Sequence, residues 1–477
     1  MRSVLIVAAE AVPFIKTGGL GDVAGSLPKE LKKQGTDARI VLPKYHDIPK
    51  YWQEKMTFLG HITVPLGWRR QYCGLFMLEE AQITYYFLDN EYYFKRRGIY
   101  GFGDDAERFA FFCRAVLEVL PKLSFKPDIL HCHDWHTGVV PVLLKAHYQQ
   151  QPEYEHLKTV LTIHNICYQG VFEKNLLADL LDLDKTQYLD HPDLNFYGNT
   201  NFLKAGIAFA DLLTTVSPSY LEEIVTGRGG LALGELLSSR RQELHGIVNG
   251  IDYEMYNPAT DKAIDVQYTT QSPEHKITNK RNLQQKLGLI VDSDIPLIGM
   301  VSRLVGEKGF ELVAAGIERL LGLGVELVIL GTGEERYENF FRSTADHYPK
   351  QLSANIYFDN VLAHQIYAAS DIYLMPSLNE PCGLSQLIAL RYGTIPIVRE
   401  TGGLKDTITP YNEYTGEGNG LSFTSYTSEA MLKAINQALS LRRERTVWLE
   451  MVESAMETDN SWGRSANQYL KVYDRLL

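Results

Sequence analysis

Short apolar runs recur along the whole chain, and between them apolar residues return at helical spacing. Eleven runs have the length and composition of buried strands: Val4–Ala9, Ala38–Leu42, Ile129–His131, Thr159–His164, Leu212–Val216, Gly246–Val248, Leu297–Val301, Leu327–Leu330, Ile356–Phe358, Ile372–Met375 and Ile395–Val398. Strands that are apolar on both faces and alternate with helices are typical of parallel sheets covered on both sides. The pattern therefore predicts an α/β fold with two doubly wound parallel-sheet domains.

The chain is 477 residues long, which is too long for a single hydrophobic core. A Gly-containing turn at residues 249–252 leads into a polar stretch without clear periodicity, after which the strand and helix pattern begins again. We therefore expect an N-terminal domain over residues 1–245 and a C-terminal domain over residues 246–459. The final segment, 460–477, has aromatic and apolar residues at helical spacing, which predicts a helix that packs on the body of the protein.

The segment 69–105 is polar, rich in tyrosine and carries Gly98, Gly101 and Gly103. We expect it to leave the first sheet as an excursion. Mobile aromatic loops of this kind often line a binding cleft, and an ordinary surface loop fits the composition equally well.

The net charge narrows the classes of partner, and the cysteine content indicates the redox compartment. A net charge of −11 argues against nucleic acid or an anionic membrane as the main partner, because either requires a basic face. The five cysteines are scattered and indicate neither a disulfide framework nor a CxxC metal site, so a reducing cytoplasm is expected. No apolar run reaches the roughly 18 residues of a membrane span. The sequence carries no signal for the oligomeric state.

A glycine-rich loop follows the first apolar run. Lys16, Gly18, Gly19 and Asp22 belong to Lys-Thr-Gly-Gly-Leu-Gly-Asp, between that strand and a helix. Glycines let the backbone approach a bound group closely, the helix start presents N–H groups, and the lysine adds a positive charge. The loop is a candidate anion site. It matches neither the P-loop nor the dinucleotide fingerprint, and a plain turn beside a solvated lysine is the alternative.

The same pattern returns in the second half of the chain. Thr401, Gly402 and Gly403 belong to Thr-Gly-Gly-Leu-Lys-Asp, which agrees with residues 17–22 at five of six positions and also follows an apolar run. Two such helix starts, one in each domain, would face each other across an interdomain crevice at the carboxyl ends of the strands. This arrangement would hold a phosphorylated ligand.

Polar residues also follow two strands of the first half. The segment 131–136 reads His-Cys-His-Asp-Trp-His and lacks a complementary pair of metal ligands, so no metal is expected. Asp134 lies beyond the strand end, where its carboxylate can accept hydrogen bonds from a polyhydroxy ligand, and a capping aspartate beside buried histidines is the alternative. His164 and Asn165 end the next strand. A structural histidine is common there, but the shared sheet edge with Lys16 and Asp134 favours a functional role.

Two cations follow the strand predicted at residues 297–301. Arg303 comes directly after it, and Lys308 lies five positions later at a helix start. An arginine fork and a lysine at this separation can converge on one anion, such as a diphosphate leaving group. The alternative is a solvated first helical turn. We disfavour it because cations at a helix N-terminus oppose the helix dipole.

An acidic residue stands before another helix of the second half. Glu380 precedes Cys382, Gly383 and Leu384, whose backbone N–H groups can hold phosphate or hydroxyl oxygens. A carboxylate in this position can bind sugar hydroxyls or stabilise a developing oxocarbenium ion. A simple helix cap is the alternative. Cys382 lacks a paired base and is expected to be a packing residue.

Taken together in order, these motifs resemble the bacterial glycogen synthases, which are retaining glycosyltransferases related to plant starch synthases. The resemblance is carried by Lys16-Thr-Gly-Gly-Leu, His133-Asp-Trp-His, Thr162-Ile-His-Asn, Val248-Asn-Gly-Ile-Asp, Ser302-Arg-Leu with Lys308-Gly, Glu380-Pro-Cys-Gly-Leu, Thr401-Gly-Gly-Leu and the terminal Trp462 helix. It spans essentially the whole chain. The joint pattern is specific, although each motif alone is weak.

The resemblance implies a GT-B architecture, with two Rossmann-like domains, a deep interdomain cleft and a C-terminal helix that crosses back to the first domain. It also implies transfer of glucose from ADP-glucose to the non-reducing-end 4-hydroxyl of an α-1,4-glucan such as glycogen. The anomeric configuration would be retained, and neither a metal nor a cofactor would be required.

The resemblance further assigns roles to individual residues. The diphosphate would be held by Lys16, Arg303 and Lys308, with the Gly18-Gly19 and Gly402-Gly403 backbones. The glucose site would be lined by Asp134, His164, Asn249 and Glu380. Among these, Glu380 would contact the 3-hydroxyl region and His164 would stabilise the reacting sugar. No side chain is placed as a nucleophile, so attack on the same face, assisted by the leaving phosphate, is expected.

The sequence departs from related patterns in three places. Ile388 stands where sucrose and lipid-sugar transferases carry a second glutamate, which favours the glycogen synthase branch. Residues 305–307 read Val-Gly-Glu, where the family usually has a threonine and a glutamine. Phe358 stands where family members often stack a tyrosine on adenine, and it keeps the aromatic face.

Two other functions remain open at this point. One is another retaining GT-B transferase with a small or lipid acceptor, which Ile388 disfavours. The other is a catalytically silent glucan-binding protein on the same scaffold. Such a protein should have lost one of the four charged residues, and all four are present: Lys16, Arg303, Lys308 and Glu380. The choice between ADP-glucose and UDP-glucose requires experiment.

Overall fold

A computed structural model describes residues 2–173, 175–183, 188, 191–226 and 229–477. The chain separates into two compact units. Unit 1 contains Met1–Ile247 and Trp462–Leu477, and unit 2 contains Val248–Ser461. The boundaries expected from the sequence, after residues 245 and 459, each stand two residues before the observed ones.

The strands of unit 1 form one large sheet and one small one. Those of the described part are β1 (Ser3–Val7), β2 (Asp37–Pro43), β3 (Thr57–Leu66), β4 (Arg69–Glu80), β5 (Ile83–Asp89), β6 (Ile129–His133), β7 (Lys158–Ile163), β8 (Val171–Glu173), β9 (Asn195–Phe196), β10 (Asn199–Asn201), β11 (Leu212–Thr215) and β12 (Leu244–Gly246). The large sheet has the order β12-β11-β7-β6-β1-β2-β5-β4-β3, and the small one has the order β8-β10-β9. Strands β12 to β5 of the large sheet are parallel, as the apolar pattern predicts.

Helices cover the parallel part of this sheet, and β1 at its centre is buried on both faces. The described helices of unit 1 before its C-terminal segment are α1 (Gly19–Lys33), α2 (Lys50–Gln53), α3 (Glu91–Phe94), α4 (Asp105–Val119), α5 (Val140–Leu143), α6 (Asn175–Leu181), α7 (Phe202–Phe209), α8 (Pro218–Val225) and α9 (Gly234–Ser239). Burial on both faces explains why β1 is a continuous apolar run without alternation.

Two expectations for this half of the chain are wrong. The segment 69–105 forms strands β4 and β5, and β4 pairs antiparallel with β3 and β5. Its polar composition hides an alternation in which Cys73 and Leu75 are buried while Tyr72 is exposed. The run Gly246–Val248, which we assigned to the second domain, overlaps β12, and β12 pairs with β11 at the edge of the first sheet.

Unit 2 contains a parallel sheet of six strands in its described residues, with the order β15-β14-β13-β16-β17-β18. The strands are β13 (Leu297–Val301), β14 (Glu326–Leu330), β15 (Leu352–Asn355), β16 (Ile372–Met375), β17 (Ile395–Arg399) and β18 (Leu421–Phe423). The helices are α10 (Lys276–Leu287), α11 (Phe310–Leu321), α12 (Glu335–His347), α13 (Asn360–Ala369), α14 (Ser385–Arg391), α15 (Gly402–Thr407), α16 (Ser428–Arg443) and α17 (Arg445–Glu457). The strand expected at Ile356–Phe358 is displaced, because β15 ends at Asn355 and Phe358 lies in the following loop.

Side chains of β13 alternate between two apolar layers. Ile298 and Met300 pack into the larger core, whereas Leu297 packs into a smaller one with Leu283 and Ile366. Consecutive residues of a strand point to opposite faces, so a strand between two helical layers has to be apolar at every position. The doubly wound arrangement predicted from the sequence is thereby confirmed for unit 2.

The last helix, α18 (Trp462–Tyr473), belongs to unit 1. It packs along α1, and the Gln34 side chain donates a hydrogen bond to the Gly463 carbonyl. Trp462, Tyr469 and Tyr473 are buried, and the Tyr473 hydroxyl lies 2.8 Å from Nδ1 of His131. The aromatic spacing read in the sequence therefore corresponds to the buried face of this helix.

A buried ion pair network joins three segments of unit 2. The Asp371 carboxylate, just before β16, lies 2.7 Å from Nζ of Lys280 and 3.2 Å from Nε of Arg442. It also accepts the backbone N–H of Leu297, the first residue of β13, at 2.8 Å. Removing one partner from such a network leaves uncompensated charge in a poorly solvated place.

We therefore expect Asp371→Asn to destabilise unit 2 by about 3 kcal/mol, because Lys280 would stay buried without its counter-charge. Native-state hydrogen exchange, read by mass spectrometry on peptides from β13 and β16, would measure the loss. The control is Asp346→Asn, an exposed aspartate in α12, which should change protection by less than about 0.5 kcal/mol. Equal protection in the two variants would contradict a stabilising role for the network.

Candidate functional site

Polar and ionisable residues gather at the carboxyl edge of the large sheet in unit 1. Glu10 follows β1, Asp134 follows β6, and His164 follows β7. These three strands are neighbours in the sheet, so their ends bring the three side chains to one edge. Ligands of open α/β sheets bind outside the carboxyl ends of the strands. This edge is therefore the candidate site of unit 1.

Asp134 ties the ends of β6 and β7 together. Its Oδ1 accepts the backbone N–H of His164 at 2.7 Å, and its own N–H donates to the Thr162 carbonyl at 2.9 Å. Its backbone has φ 56° and ψ −173°, a conformation that non-glycine residues rarely adopt. Burial raises the pKa of Asp134 to about 7, against the lowering effect of the N–H groups of His164 and Asn165.

Three buried histidines stand next to this aspartate. His133 Nδ1 and His164 Nε2 are 2.8 Å apart, and the ring of His131 stacks obliquely on that of His133 at 4.3 Å. Burial lowers the pKa of His131 and of His164 to about 3, and it lowers that of His133 well below its usual value. All three imidazoles are therefore neutral at neutral pH.

The glycine-rich loop is held by a buried carboxylate that the sequence analysis missed. Glu10 accepts hydrogen bonds from the backbone N–H and the hydroxyl of Thr17. Burial is the main cause that raises the pKa of Glu10 to about 7. An acidic residue directly after a buried run was the signal available in the sequence. The loop is therefore held by a carboxyl group that burial makes costly to ionise.

Lys16 and Asp22 form an ion pair across the same loop. The Lys16 ammonium lies 2.9 Å from Oδ1 and 3.0 Å from Oδ2 of Asp22. Burial raises the pKa of Asp22, and Lys16 partly offsets this. A Cβ atom on Gly18 would meet no atom within 4 Å, and Gly19 begins α1. The loop thus combines a partly exposed cation with open space beside a helix start.

In unit 2, Lys308 and Glu380 meet at the carboxyl edge of the sheet. The Lys308 ammonium donates to both carboxylate oxygens of Glu380, at 2.8 Å and 2.7 Å, and the Ser377 hydroxyl donates to the second oxygen at 3.1 Å. The pair borders a small cavity whose other polar lining groups are Ser302, Tyr373, Ser377 and Ser385. An ammonium has three N–H donors, so one of them remains for a ligand oxygen.

Arg303 is also paired within the chain. Its NH2 group lies 2.9 Å from a carboxylate oxygen of Glu307, and more than half of the arginine side chain is exposed. The remaining guanidinium donors have no hydrogen-bond partner among the described residues. Glu307 stands where the resemblance leads one to expect glutamine. A neutral glutamine could not form this ion pair, so the pair is a feature in which the chain departs from the family pattern.

The segment after Glu380 leads into α14. Gly383 has φ +75°, which favours glycine, and the N–H groups of Gly383 and Leu384 precede the helix, where intrahelical acceptors are absent. Burial raises the pKa of Cys382 to about 12, and its thiol is hydrogen-bonded to the backbone of Asn249. Cys382 is therefore an inert packing residue, as expected. The Asn249 side-chain oxygen is buried without a donor among the described residues.

The second Gly-Gly pair has a packing role. A Cβ atom on Gly402 would lie 2.2 Å from the Glu380 carbonyl, and one on Gly403 would lie 2.2 Å from the Cys382 carbonyl. The Gly403 N–H donates to the carbonyls of Glu380 and Pro381. This N–H is thus already engaged within the chain. Thr401 stands at the N-cap position of α15 without a side-chain capping hydrogen bond, and the two glycines let α15 pack closely against the loop that carries Glu380.

Phe358 and Arg303 follow different strands of the unit 2 sheet. Phe358 follows β15, the edge strand, whereas Arg303 follows β13, two strands away. Phe358 is 79% exposed, which is unusual for a phenylalanine and leaves its ring available for stacking. Both residues stand at carboxyl ends of parallel strands in the same sheet.

The described residues contain no group of three His, Cys, Asp or Glu side chains placed to hold a metal ion. No helix in this part of the chain combines the length and the apolar character that a membrane span requires. The groups described at the two sheet edges are carboxylates, neutral imidazoles, cations and backbone N–H groups.

Family models match both units. The model of the starch synthase catalytic domain matches residues 3–239, and that of the group 1 glycosyl transferases matches residues 281–453. The chain is 55% identical over 476 residues to a glycogen synthase from Caldicellulosiruptor saccharolyticus, with 100% of both chains covered. It is 54% identical over 474 residues to a glycogen synthase from Desulforamulus reducens, which covers 99% of this chain and 98% of the relative.

A solved structure also matches over the whole chain. It is the catalytic domain of starch synthase IV from Arabidopsis thaliana bound to ADP and acarbose, with 34% identity and a TM-score of 0.92. The match covers 100% of this chain and 99% of that one. The fold of this chain is thus of the GT-B glycosyltransferase type.

The buried carboxyl of Glu10 predicts a pH-dependent stability. Its pKa is about 7 in the folded protein and 4.5 ordinarily, so between these values the folded state binds more protons and loses stability as pH rises. Glu10→Gln removes this loss. We expect the stability of the variant relative to wild type to increase by about 2 kcal/mol between pH 5 and pH 8.

Urea unfolding at both pH values would measure the difference. Glu54→Gln, at an exposed position of unit 1, serves as the control and should show no such change. A difference between Glu10→Gln and wild type that does not vary with pH would mean that Glu10 is ionised in the folded protein at both pH values.

Proposed function

Because the chain belongs to the glycogen synthase family, we propose that it transfers glucose from ADP-glucose to the non-reducing-end 4-hydroxyl of an α-1,4-glucan, with retention of configuration. The observation that carries the proposal is the Lys308–Glu380 pair, which places an ammonium with a spare donor beside a carboxylate at a cavity edge. The ammonium suits a phosphate oxygen, and the carboxylate suits a sugar hydroxyl. The starch synthase IV structure, which holds ADP and acarbose, supports this choice of ligands.

Unit 2 would bind the donor diphosphate. Arg303 contributes a guanidinium with unused donors, and Lys308 contributes its third N–H. Negative charge grows on the diphosphate as its bond to glucose breaks, so fixed cations stabilise the transition state more than the ground state. The N–H groups of Gly383 and Leu384 would bind further oxygens. The exposed ring of Phe358 would stack on the adenine.

Glu380 would bind the glucose in the 3-hydroxyl region, and the Asn249 side-chain oxygen would accept from another hydroxyl. The carboxylate is fixed by Lys308 and Ser377, so it arrives already oriented. Gly402 and Gly403 would act through the packing of this loop, since the Gly403 N–H is occupied. Thr401 would take part as the residue at the N-cap position of α15.

In unit 1, Lys16 with the Gly18-Gly19 backbone would bind phosphate oxygens, and Asp22 would orient that lysine. Asp134, His164 and Asn165 would line the glucose site at the edge formed by β6 and β7.

The proposed reaction needs no protein nucleophile. The bond between the glucose anomeric carbon and the phosphate oxygen breaks, the acceptor 4-oxygen forms its bond on the same face, and the acceptor proton passes to the leaving phosphate. Two features support this route. Glu380 is held by Lys308, and the buried imidazoles are neutral with a pKa of about 3 for His164, which makes them poor bases.

The partners would be ADP-glucose and a glucan such as glycogen. We place the enzyme in the cytoplasm. The five cysteines form no disulfide, which supports a reducing compartment.

The proposal is tested by incubating the protein with glycogen and labelled ADP-glucose or UDP-glucose. We expect labelled glucose to enter the glucan from ADP-glucose in preference. Transfer only to a small or lipid acceptor would indicate another retaining transferase. Binding of glycogen without transfer from either donor would indicate a catalytically silent glucan-binding protein, and both outcomes would contradict the proposal.

Glu307 should weaken donor binding, because its carboxylate competes with the diphosphate for Arg303. We expect Glu307→Gln to lower the KM for the donor about threefold, with little change in kcat, since exposed ion pairs contribute about 1 kcal/mol or less. Initial rates at several donor concentrations would measure this. Glu318→Gln, at an exposed position in α11 and with the same charge change, is the control and should leave KM unaltered. An unchanged KM for Glu307→Gln would contradict competition for Arg303.

A further inference from the structure

The short contact between His133 and His164 constrains where their protons are. His133 Nδ1 and His164 Nε2 are 2.8 Å apart, which is a hydrogen bond between two imidazole rings. Such a bond contains one proton. Both rings are buried and neutral, so each carries one proton on one of its two nitrogens.

Two arrangements satisfy these conditions. In the first, His133 carries its proton on Nδ1 and donates to His164, whose own proton is then on Nδ1. In the second, His164 donates from Nε2 to His133, whose own proton is then on Nε2. The two arrangements give His164 opposite properties toward a ligand, because its Nδ1 is a donor in the first and an acceptor in the second.

The second nitrogen of the His133 ring, Nε2, distinguishes the two arrangements. His133 Nε2 is buried and has no hydrogen-bond partner among the described residues. The second arrangement would put an N–H group on this buried atom without an acceptor. The first leaves only a lone pair there and puts its N–H group on His164 Nδ1, which is not fully buried. Buried N–H groups without acceptors are rare and cost about 1–3 kcal/mol, and acceptors without donors are better tolerated. The first arrangement is therefore favoured.

We propose that His133 is a positioning residue, which donates from Nδ1 to Nε2 of His164 and so fixes His164 as the tautomer protonated at Nδ1. His164 Nδ1 makes no hydrogen bond within the described part of the chain. His164 therefore presents an N–H donor to a substrate oxygen and does not act as a base. This inference rests on the proposed function for the place of His164 at the reacting sugar, but the tautomer itself does not.

The position of His133 is fixed by His131 and the two hydroxyl groups that hold His131. His131 stacks on its ring, and His131 is held at its two nitrogens by the Tyr473 hydroxyl at 2.8 Å and the Thr162 hydroxyl at 2.6 Å. The backbone of His164 is held separately by Asp134. Both ends of the His133–His164 hydrogen bond are thus anchored, so the ring of His164 has one orientation.

The tautomer can be measured in the ligand-free protein. Nitrogen-15 NMR of histidine-labelled protein distinguishes rings protonated at Nδ1 from those protonated at Nε2. The His164 signals among the 13 histidines are assigned by their loss in His164→Gln. We expect His164 to be protonated at Nδ1 in wild type. Protonation of His164 at Nε2 would overturn the inference, whatever the activity of the protein.

Variants of His133 test the positioning role. His133→Asn keeps an N–H donor near the place of Nδ1, and His133→Leu removes it at similar size. We expect kcat for glucose transfer to fall about tenfold or more in His133→Leu, with donor KM within about twofold, and to recover most of that loss in His133→Asn. Equal kcat in the two variants would contradict the proposal, because it would indicate a packing role alone.

Asp128→Ala is the control for stability. It removes the carboxylate that accepts hydrogen bonds from the N–H and the hydroxyl of Ser3 at the amino ends of β1 and β6, and it should lower the unfolding midpoint without changing kcat more than about twofold. A tenfold fall in kcat in this variant would contradict the assignment of the effect to His133. If wild type transfers no glucose at all, the proposed function fails, and the NMR measurement still decides the tautomer.

Discussion

The hydrogen bond from the His164 N–H to the Asp134 carboxylate is the interaction on which the site of unit 1 depends. It joins the ends of two adjacent parallel strands at 2.7 Å, and both residues are buried. It also compensates for two costs at the same residue. Asp134 has a backbone conformation that is nearly restricted to glycine, and its carboxyl group is buried. Strain of this kind persists where the surroundings determine the conformation completely.

The two units differ in the electrostatics of the residues at their strand ends. In unit 1, burial keeps the histidines neutral and raises the pKa of Glu10 and Asp134 to about 7. In unit 2, Arg303 and Lys308 each form an ion pair with a carboxylate. Neutral groups suit the orientation of hydroxyl groups on a sugar. Fixed charges suit the stabilisation of a phosphate that becomes more negative during the reaction.

The apolar runs were sufficient to predict the parallel sheets, because a strand covered on both faces has few other sequence patterns available. They failed for β4 and β5, because polar residues and tyrosines give this segment the composition of a loop although Tyr85 and Tyr86 of β5 are buried. The site motifs predicted which residues stand at strand ends, such as Asp134, His164 and Arg303. Partners distant in the sequence were not predictable: Ser377 and the pairing of Lys308 with Glu380 depend on packing that no local pattern encodes.

The central claim is that the Asp134 carboxylate holds the His164 backbone, and residue-resolved hydrogen exchange of the His164 amide tests it most directly. The comparison is between wild type and Asp134→Ala. The account predicts that the His164 amide of wild type is strongly protected and exchanges at least about tenfold faster in the variant, while amides within β6 and β7 stay protected. An equally slow His164 amide in both proteins would contradict the account, because another group would then hold the ends of these strands.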